Sequence, residues 1–128
     1  MSIYIAIGIQ KSTKRPIFST FFFVEKQFLE KAEKIIDKNL TNSQFGVPDL
    51  GKGIGLSRMQ LYRKLKSIRG LNANEFIREY RIKKAAQLMG TTELNVSEIL
   101  FEVGFSNRSY FTKCFKKILG VHKKLRFE

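Results

Sequence analysis

Two short stretches place hydroxyl, guanidinium and ammonium groups on the open face of what reads as an amphipathic helix. In the first, Leu61, Leu65 and Ile68 recur as one apolar stripe, and the 100° helical step puts Met59, Tyr62, Arg63 and Lys66 opposite them. In the second, Phe111, Cys114, Phe115 and Ile118 make the stripe, and Ser109, Thr112, Lys113 and Lys116 lie opposite. Groups of these types, held on one helix face, can bond base edges and phosphate oxygens. A face that is merely solvated usually carries Glu as well. Neither stretch has an acidic residue, between Ser57 and Arg69 or between Asn107 and Lys117.

Other chemistries are poorly supplied. The single cysteine excludes an internal disulfide and fits a reducing compartment. Cys114 falls on an apolar stripe and reads as core. One histidine, His122, and one cysteine cannot build a zinc site. No Ser/His/Asp set and no paired carboxylates stand out, so no catalytic residue, metal or cofactor is assigned. Gly51, Gly53 and Gly55 are spaced like a glycine-rich loop, but no phosphate-binding lysine or strand context accompanies them, and they read as a turn region.

The elements that must position the two faces come as a repeat. Val96 to Gly120 (VSEILFEVGFSNRSYFTKCFKKILG) has two apolar helical segments with a Gly-aromatic break, and Ile99, Leu100 and Val103 form the inward stripe of the first. Val47 to Gly70 (VPDLGKGIGLSRMQLYRKLKSIRG) aligns with it at an offset of 49 through Gly55 and Gly104, and of 50 from Leu61 and Phe111 onward. One residue has thus been added in the second copy's turn. Each copy is the layout of a helix-turn-helix, whose second helix is offered to a major groove. Two copies are too few for a solenoid, so the arrangement is read as tandem subdomains.

Composition agrees. The 128 residues are one domain's worth, or two small subdomains, with 43% hydrophobic residues and twelve Phe to fill a core. The net charge is +13, and it is uneven: 17 basic against 6 acidic residues from Lys52 onward (+11), 7 against 5 before it (+2). Such a bias favours a polyanionic partner.

In chain order, residues 1–24 are expected to be a lead-in, with a strand-like piece or dimerisation strand as options. Neither apolar run there approaches the roughly 20 residues that span a bilayer, and the charge pattern does not fit a secretory signal. A helix is expected from Glu25 to about Asn39, with Phe28, Leu29, Ala32, Ile35 and Ile36 inward. Gly46 serves as N-cap of the next helix, with Pro48 and Asp49 in its first turn. Gly51 and Gly53 should each cost on the order of 1 kcal/mol there, making this helix the weakest element. Ser57 and Gln60 form a capping box, and Asn95 with Glu98 starts a later helix. Between them Gly70 to Asn74 is read as a loop, and a long helix is expected from about Ala73 to Met89, ended by Gly90. Its apolar residues fall on two faces, Phe76, Ile77, Tyr80 and Leu88 on one and Ile82, Ala85, Ala86 and Met89 on the other, as suits a connector packed on both sides.

At these residues the chain resembles the DNA-binding domain of the AraC/XylS family of bacterial transcription regulators, over roughly Phe28 to Val121. The most specific part is ILFEVGFSNRSYFTKCFKKILG. The wording LYRKLK, EFIR and KAAQLM looks most like the output domain of hybrid two-component regulators. The resemblance implies an all-α fold of two homeodomain-like helix-turn-helix units joined by a linker helix, and two recognition helices in successive major grooves. It places base contacts on Met59, Tyr62 and Arg63 and on Asn107, Arg108, Ser109, Thr112 and Lys113. Helical phase alone reaches all of these except Asn107 and Arg108. Phosphate contacts are expected from Lys52, Ser57, Arg58, Lys66, Lys116 and Lys117. Three features depart from the family pattern: Gly51 stands where Ala is usual, the tail His122 to Glu128 replaces the expected ending, and residues 1–24 match nothing in it.

The organisation expected is therefore a lead-in (1–24), a first subdomain (25–70), a linker helix (73–89) and a second subdomain (91–128). The function expected is a non-enzymatic, sequence-specific transcription regulator domain in the cytoplasm. Its partners would be double-stranded DNA, RNA polymerase and a sensor or receiver domain absent from this chain, with no membrane contact. A sequence-indifferent nucleic-acid coat and a protein-interaction module are the alternatives.

Overall fold

The computed structural model describes residues 17–120, with side-chain environments from residue 20. The expectations for residues 1–16 and for the tail 121–128 lie outside the described residues. Six helices follow one another: α1 (Ile17–Lys38), α2 (Val47–Ile54), α3 (Arg58–Arg69), α4 (Ala73–Thr91), α5 (Val96–Glu102) and α6 (Arg108–Leu119), with no strand among the described residues. The all-α, duplicated architecture is as the sequence implies.

Two apolar cores share α4. Ala32, Ile36, Leu50, Leu61 and Leu65 are closed in the first by Ala73, Phe76 and Ile77 from the N-terminal half of α4. Ile99, Val103, Phe111 and Phe115 are closed in the second by Ile82 and Ala85 from its C-terminal half. Helix α4 packs against each of the other five. Leu61, Leu65, Val103 and Phe111 are wholly buried, so truncating either leucine to Ala should cost about 2–5 kcal/mol. Leu40, in the loop after α1, packs against both cores.

Local signals set most boundaries. In α3, Gln60 N–H donates to Ser57 Oγ (3.1 Å) while Ser57 N–H donates to Gln60 Oε1 (2.9 Å). Asn95 and Glu98 do the same for α5, each bond 2.9 Å. Gly46 precedes α2, its N–H bonded to the Asp49 carboxylate at 2.9 Å. The turns inside both units carry a glycine in the left-handed region, Gly55 at φ +83° and Gly104 at φ +81°.

Five expectations need correction. Helix α1 starts at Ile17, eight residues upstream of the expected Glu25, so IFSTFFFV is helical and not a strand-like lead-in. No Gly or Pro interrupts residues 17–38, and helix propagation overrides the β-propensity of three consecutive phenylalanines. Helix α4 runs through Gly90 to Thr91 and ends where the Thr91 and Thr92 hydroxyls donate to Gln87 O (2.9 Å) and Leu88 O (2.7 Å). Its start is fixed by an Asn72–Glu75 capping box that the expected loop concealed. Leu88 packs with the second core, because α4 is divided between the cores along its length as well as around it. Lastly, Gly51 and Gly53 are close-approach positions. A Cβ on Gly51 would lie 2.9 Å from Leu56 O, and one on Gly53 would lie 3.1 Å from Ile35 Cδ1. At Gly51, which faces a backbone carbonyl, the propensity cost is therefore not recoverable by simple exchange for Ala, whereas at Gly53 the Ile35 side chain would have to give way by a few tenths of an ångström.

Candidate nucleic-acid interface

Helices α3 and α6 are the second helices of their units, each held by its apolar stripe with the opposite face left to solvent. Met59 (55% exposed) and Tyr62 (44%) are large side chains with no burial to explain them, and Arg63 beside them is exposed too. On α6, Arg108, Ser109 and Lys113 are exposed, as is Asn107 at its N-cap, whereas Thr112 is half-buried and less open than helical phase suggested. The expected phosphate-contacting residues Lys52, Ser57, Arg58, Lys66, Lys116 and Lys117 are all exposed.

Several of these side chains have intramolecular work that limits what they can offer. Asn107 Oδ1 accepts the Tyr110 N–H at 2.8 Å as the cap of α6. The cap occupies one of the two lone pairs on that oxygen and holds the side chain in one orientation, leaving its second lone pair and the amide donors to offer. Ser57 Oγ is likewise an acceptor in its capping box but keeps a hydroxyl proton to donate. Arg108 Nη1 lies 3.5 Å from Ser97 Oγ on α5, and Lys66 Nζ reaches Gly70 O at 3.4 Å at the end of α3. Ion pairs join Arg69 and Lys83 to Glu79, and Lys84 to Asp37. Lys64 sits 5.3 Å over the Phe28 ring and ties α3 to α1. Lys66, Lys116 and Lys117 also stand in the last turns of α3 and α6, where positive charge complements the helix dipole.

Three residues that the sequence reading passed over shape the space between the units. A cleft of about 270 Å³ is lined by Ser43, Asn74, Arg78, Ser106, Asn107 and Tyr110 among others, with no acidic group in its wall. Arg78 Nη1 donates to Tyr110 OH at 3.2 Å, joining α4 to the first turn of α6, and the Tyr110 ring stands 5.9 Å from that of Phe105. Arg81 is buried beneath them, 5% exposed. Its Nη1 donates to Leu40 O and Val103 O, both at 2.6 Å, and its Nη2 to Asn42 O at 3.1 Å. Burial lowers its pKa from the ordinary arginine value, though a guanidinium stays charged in proteins. A signal existed for Arg81: it stands at i+4 between Ile77 and Ala85, an arginine inside an apolar stripe.

No group of three or more His, Cys, Asp or Glu among the described residues could hold a metal ion, and none of their helices is long and apolar enough to cross a membrane. The geometry offers two capped helices with basic, acid-free outer faces, carried on one connector.

Comparison with known proteins places these features in context. The helix-turn-helix domain family profile matches residues 50–122. A protein described as "Histidine kinase P4", from Formosa agariphila, is 43% identical over 98 residues, covering 77% of this chain and 7% of its own length. The "HTH-type transcriptional activator AarP" of Providencia stuartii is 34% identical over 90 residues, 70% of this chain and 66% of that one. Of other curated regulators that it matches, the chain spans about a third. The crystal structure of the C-terminal domain of the two-component response regulator yesN from Fusobacterium nucleatum superposes with a TM-score of 0.60 at 32% identity, over 76% of this chain and 96% of that domain.

Proposed function

The chain belongs to the AraC-type helix-turn-helix family, and from that premise we propose that it is a sequence-specific DNA-binding module of a transcription regulator. It lays α3 and α6 into adjacent major grooves on one face of a duplex. Arg63, Tyr62 and Met59 on α3, with Arg108, Ser109, Thr112, Lys113 and the Asn107 amide on α6, read base edges. Lys52, Ser57, Arg58, Lys66, Lys116 and Lys117 bond phosphates and supply affinity common to all sequences. The module acts without catalysis in the cytoplasm. It delivers the output of a longer regulator whose sensor or receiver domain lies outside this chain, and it acts on RNA polymerase. The match to a small fraction of a histidine kinase and to nearly all of a response-regulator output domain supports that placement.

One observation carries the reading: the same capped basic helix occurs twice on a single shared connector, and neither copy has an acid on its open face. A charged coat needs no such duplication. Selection of bound duplexes from a random pool at physiological salt tests it. The expected product is a bipartite motif with its two parts about one turn, roughly 10–10.5 bp, apart. A pool without a motif would indicate a sequence-indifferent coat, and failure to retain duplex would indicate a protein-interaction module. Inserting about 5 bp between the two parts should reduce binding to that of one part alone, and a further 5 bp should not restore it, because one chain cannot stretch an extra turn. Recovery at 10 bp would mean that the two parts are read by different chains.

A further inference from the structure

We propose that Arg81 is a positioning residue for DNA recognition: its guanidinium clasps the two helix-turn-helix units at a fixed separation and so sets the half-site spacing the protein accepts. This rests on the bipartite reading above. The clasp joins three carbonyls from two units. Leu40 O and Asn42 O belong to the loop after α1, and Val103 O is at the C-cap of α5. These partners are 41, 39 and 22 residues away in sequence. Carbonyls at and just beyond helix C-termini carry partial negative charge, and here two such ends converge on one planar cation.

Two further features are fitted to the clasp. Gly104 closes over it: a Cβ at that position would overlap both the Arg81 guanidinium and the Leu40 carbonyl. Gly55, its counterpart in the first unit, has the same backbone conformation and open space around it. Leu40, whose carbonyl Arg81 holds, is also the side chain that packs on both cores. The cation thus sits at the joint about which α5 and α6 would pivot against α1–α3. A methionine there fills the space but joins nothing. A lysine keeps the charge but loses the planar fork that reaches several carbonyls at once.

The experiment uses the full chain, a selected bipartite duplex, variants of that duplex with one base pair added or removed between the half-sites, and each half-site alone. Wild type should lose about tenfold or more in affinity per base pair of altered spacing, since each step rotates the half-sites by roughly 35°. Arg81→Met should bind isolated half-sites within about twofold of wild type, yet its spacing penalty should shrink to about two- to threefold. Arg81→Lys should fall between. A folded Arg81→Met with the wild-type spacing profile, or with equal losses on half-sites and bipartite sites, overturns the proposal. Absence of any spacing optimum in wild type would instead remove the bipartite reading itself.

A second measurement does not depend on how Arg81 variants fold. Spin labels at Ser67→Cys on α3 and Glu102→Cys on α5, in a Cys114→Ala background, should give one narrow distance distribution that is unchanged by the duplex. A broad distribution, or one that DNA narrows, overturns the clasp.

Discussion

Gly55 and Gly104 occupy the same place in the two units at nearly the same φ, +83° and +81°, but a methyl group added at each meets different surroundings. At Gly55 nothing lies within 4 Å of the new Cβ. Gly55→Ala should therefore cost only the left-handed strain of an L-residue, about 1–2 kcal/mol. At Gly104 the same strain is joined by overlap with the Leu40 carbonyl and by eviction of the Arg81 guanidinium, which loses the two bonds that Nη1 makes. Bonds to charged groups contribute about 1.5–3 kcal/mol each, but the adjoining cleft gives the evicted group room to find other partners, so the total for Gly104→Ala should be about 3–5 kcal/mol. Against a typical domain stability of about 5–15 kcal/mol, that leaves the second unit marginal. Urea titrations followed by far-UV circular dichroism measure both variants. Gly55→Ala should lower the midpoint by about 1 M or less and Gly104→Ala by about 2 M, at slopes near 1–3 kcal/mol/M. In an Arg81→Met background the cost of Gly104→Ala should shrink by about 2 kcal/mol, a coupling that separates eviction from strain. Equal costs at the two glycines, or additivity with Arg81→Met, would refute the reasoning.

Other expectations follow from the same surfaces. With about 6–8 phosphate contacts, log K for the preferred duplex should fall against log salt with a slope of about −5 to −7, whereas a slope of about −1 to −2 would show that the basic faces are not the binding surface. Arg63→Ala should weaken the preferred site by roughly 1–3 kcal/mol and relax one base position, while Lys116→Ala weakens all sequences alike; identical behaviour of the two on specific and random duplexes would contradict their roles. Tyr80 donates to Asp37 at 2.9 Å, and burial, that bond and the carboxylates of Asp37 and Glu33 raise its pKa above the ordinary value. The folded state therefore holds the phenolic proton more tightly, so this contribution is complete below about pH 10 and is lost as pH rises beyond it; Tyr80→Phe should flatten that alkaline decline relative to wild type in thermal melts, and an unchanged difference across pH would exclude the linkage.

The fold was legible where structure follows from neighbours a few residues apart. Ser57 with Gln60, and Asn95 with Glu98, are reciprocal pairs at a spacing of three, and each starts its helix in the structure as its chemistry requires. Asn72 with Glu75 is the same signal, concealed by reading residues 70–74 as a loop. The upstream reach of α1 was not legible, because aromatic and β-branched residues at 17–24 score as strand while nothing in that run stops a helix growing backward from the amphipathic stripe. Gly90 misled for a related reason. A glycine allows a helix to end but does not compel it, and here the ending comes at the next residue, Thr91, with two threonine hydroxyls bonded back into the last turn. Gly51 and Gly53 were read by propensity, a local quantity, whereas their use is set by Leu56 O and by Ile35 on another helix.

The site divides along the same line, and the two copies divide it unequally. Faces set by helical period were readable, which is why Met59, Tyr62, Arg63 and Lys113 could be placed on them from sequence. Groups whose partners are distant were not. The N3 position of the recognition helix makes the difference concrete. In α3 it is Gln60, whose side chain returns to its own N-cap, so the start of that helix is fixed by three residues of sequence. In α6 it is Tyr110, which cannot return a side-chain acceptor to Asn107 and instead bonds Arg78 on α4, 32 residues away. The first recognition helix is thus aligned locally, while the second takes its alignment from the connector, at Tyr110 through Arg78. Substitution of Arg78 should for that reason disturb readout by α6 more than readout by α3, even though α4 packs against both.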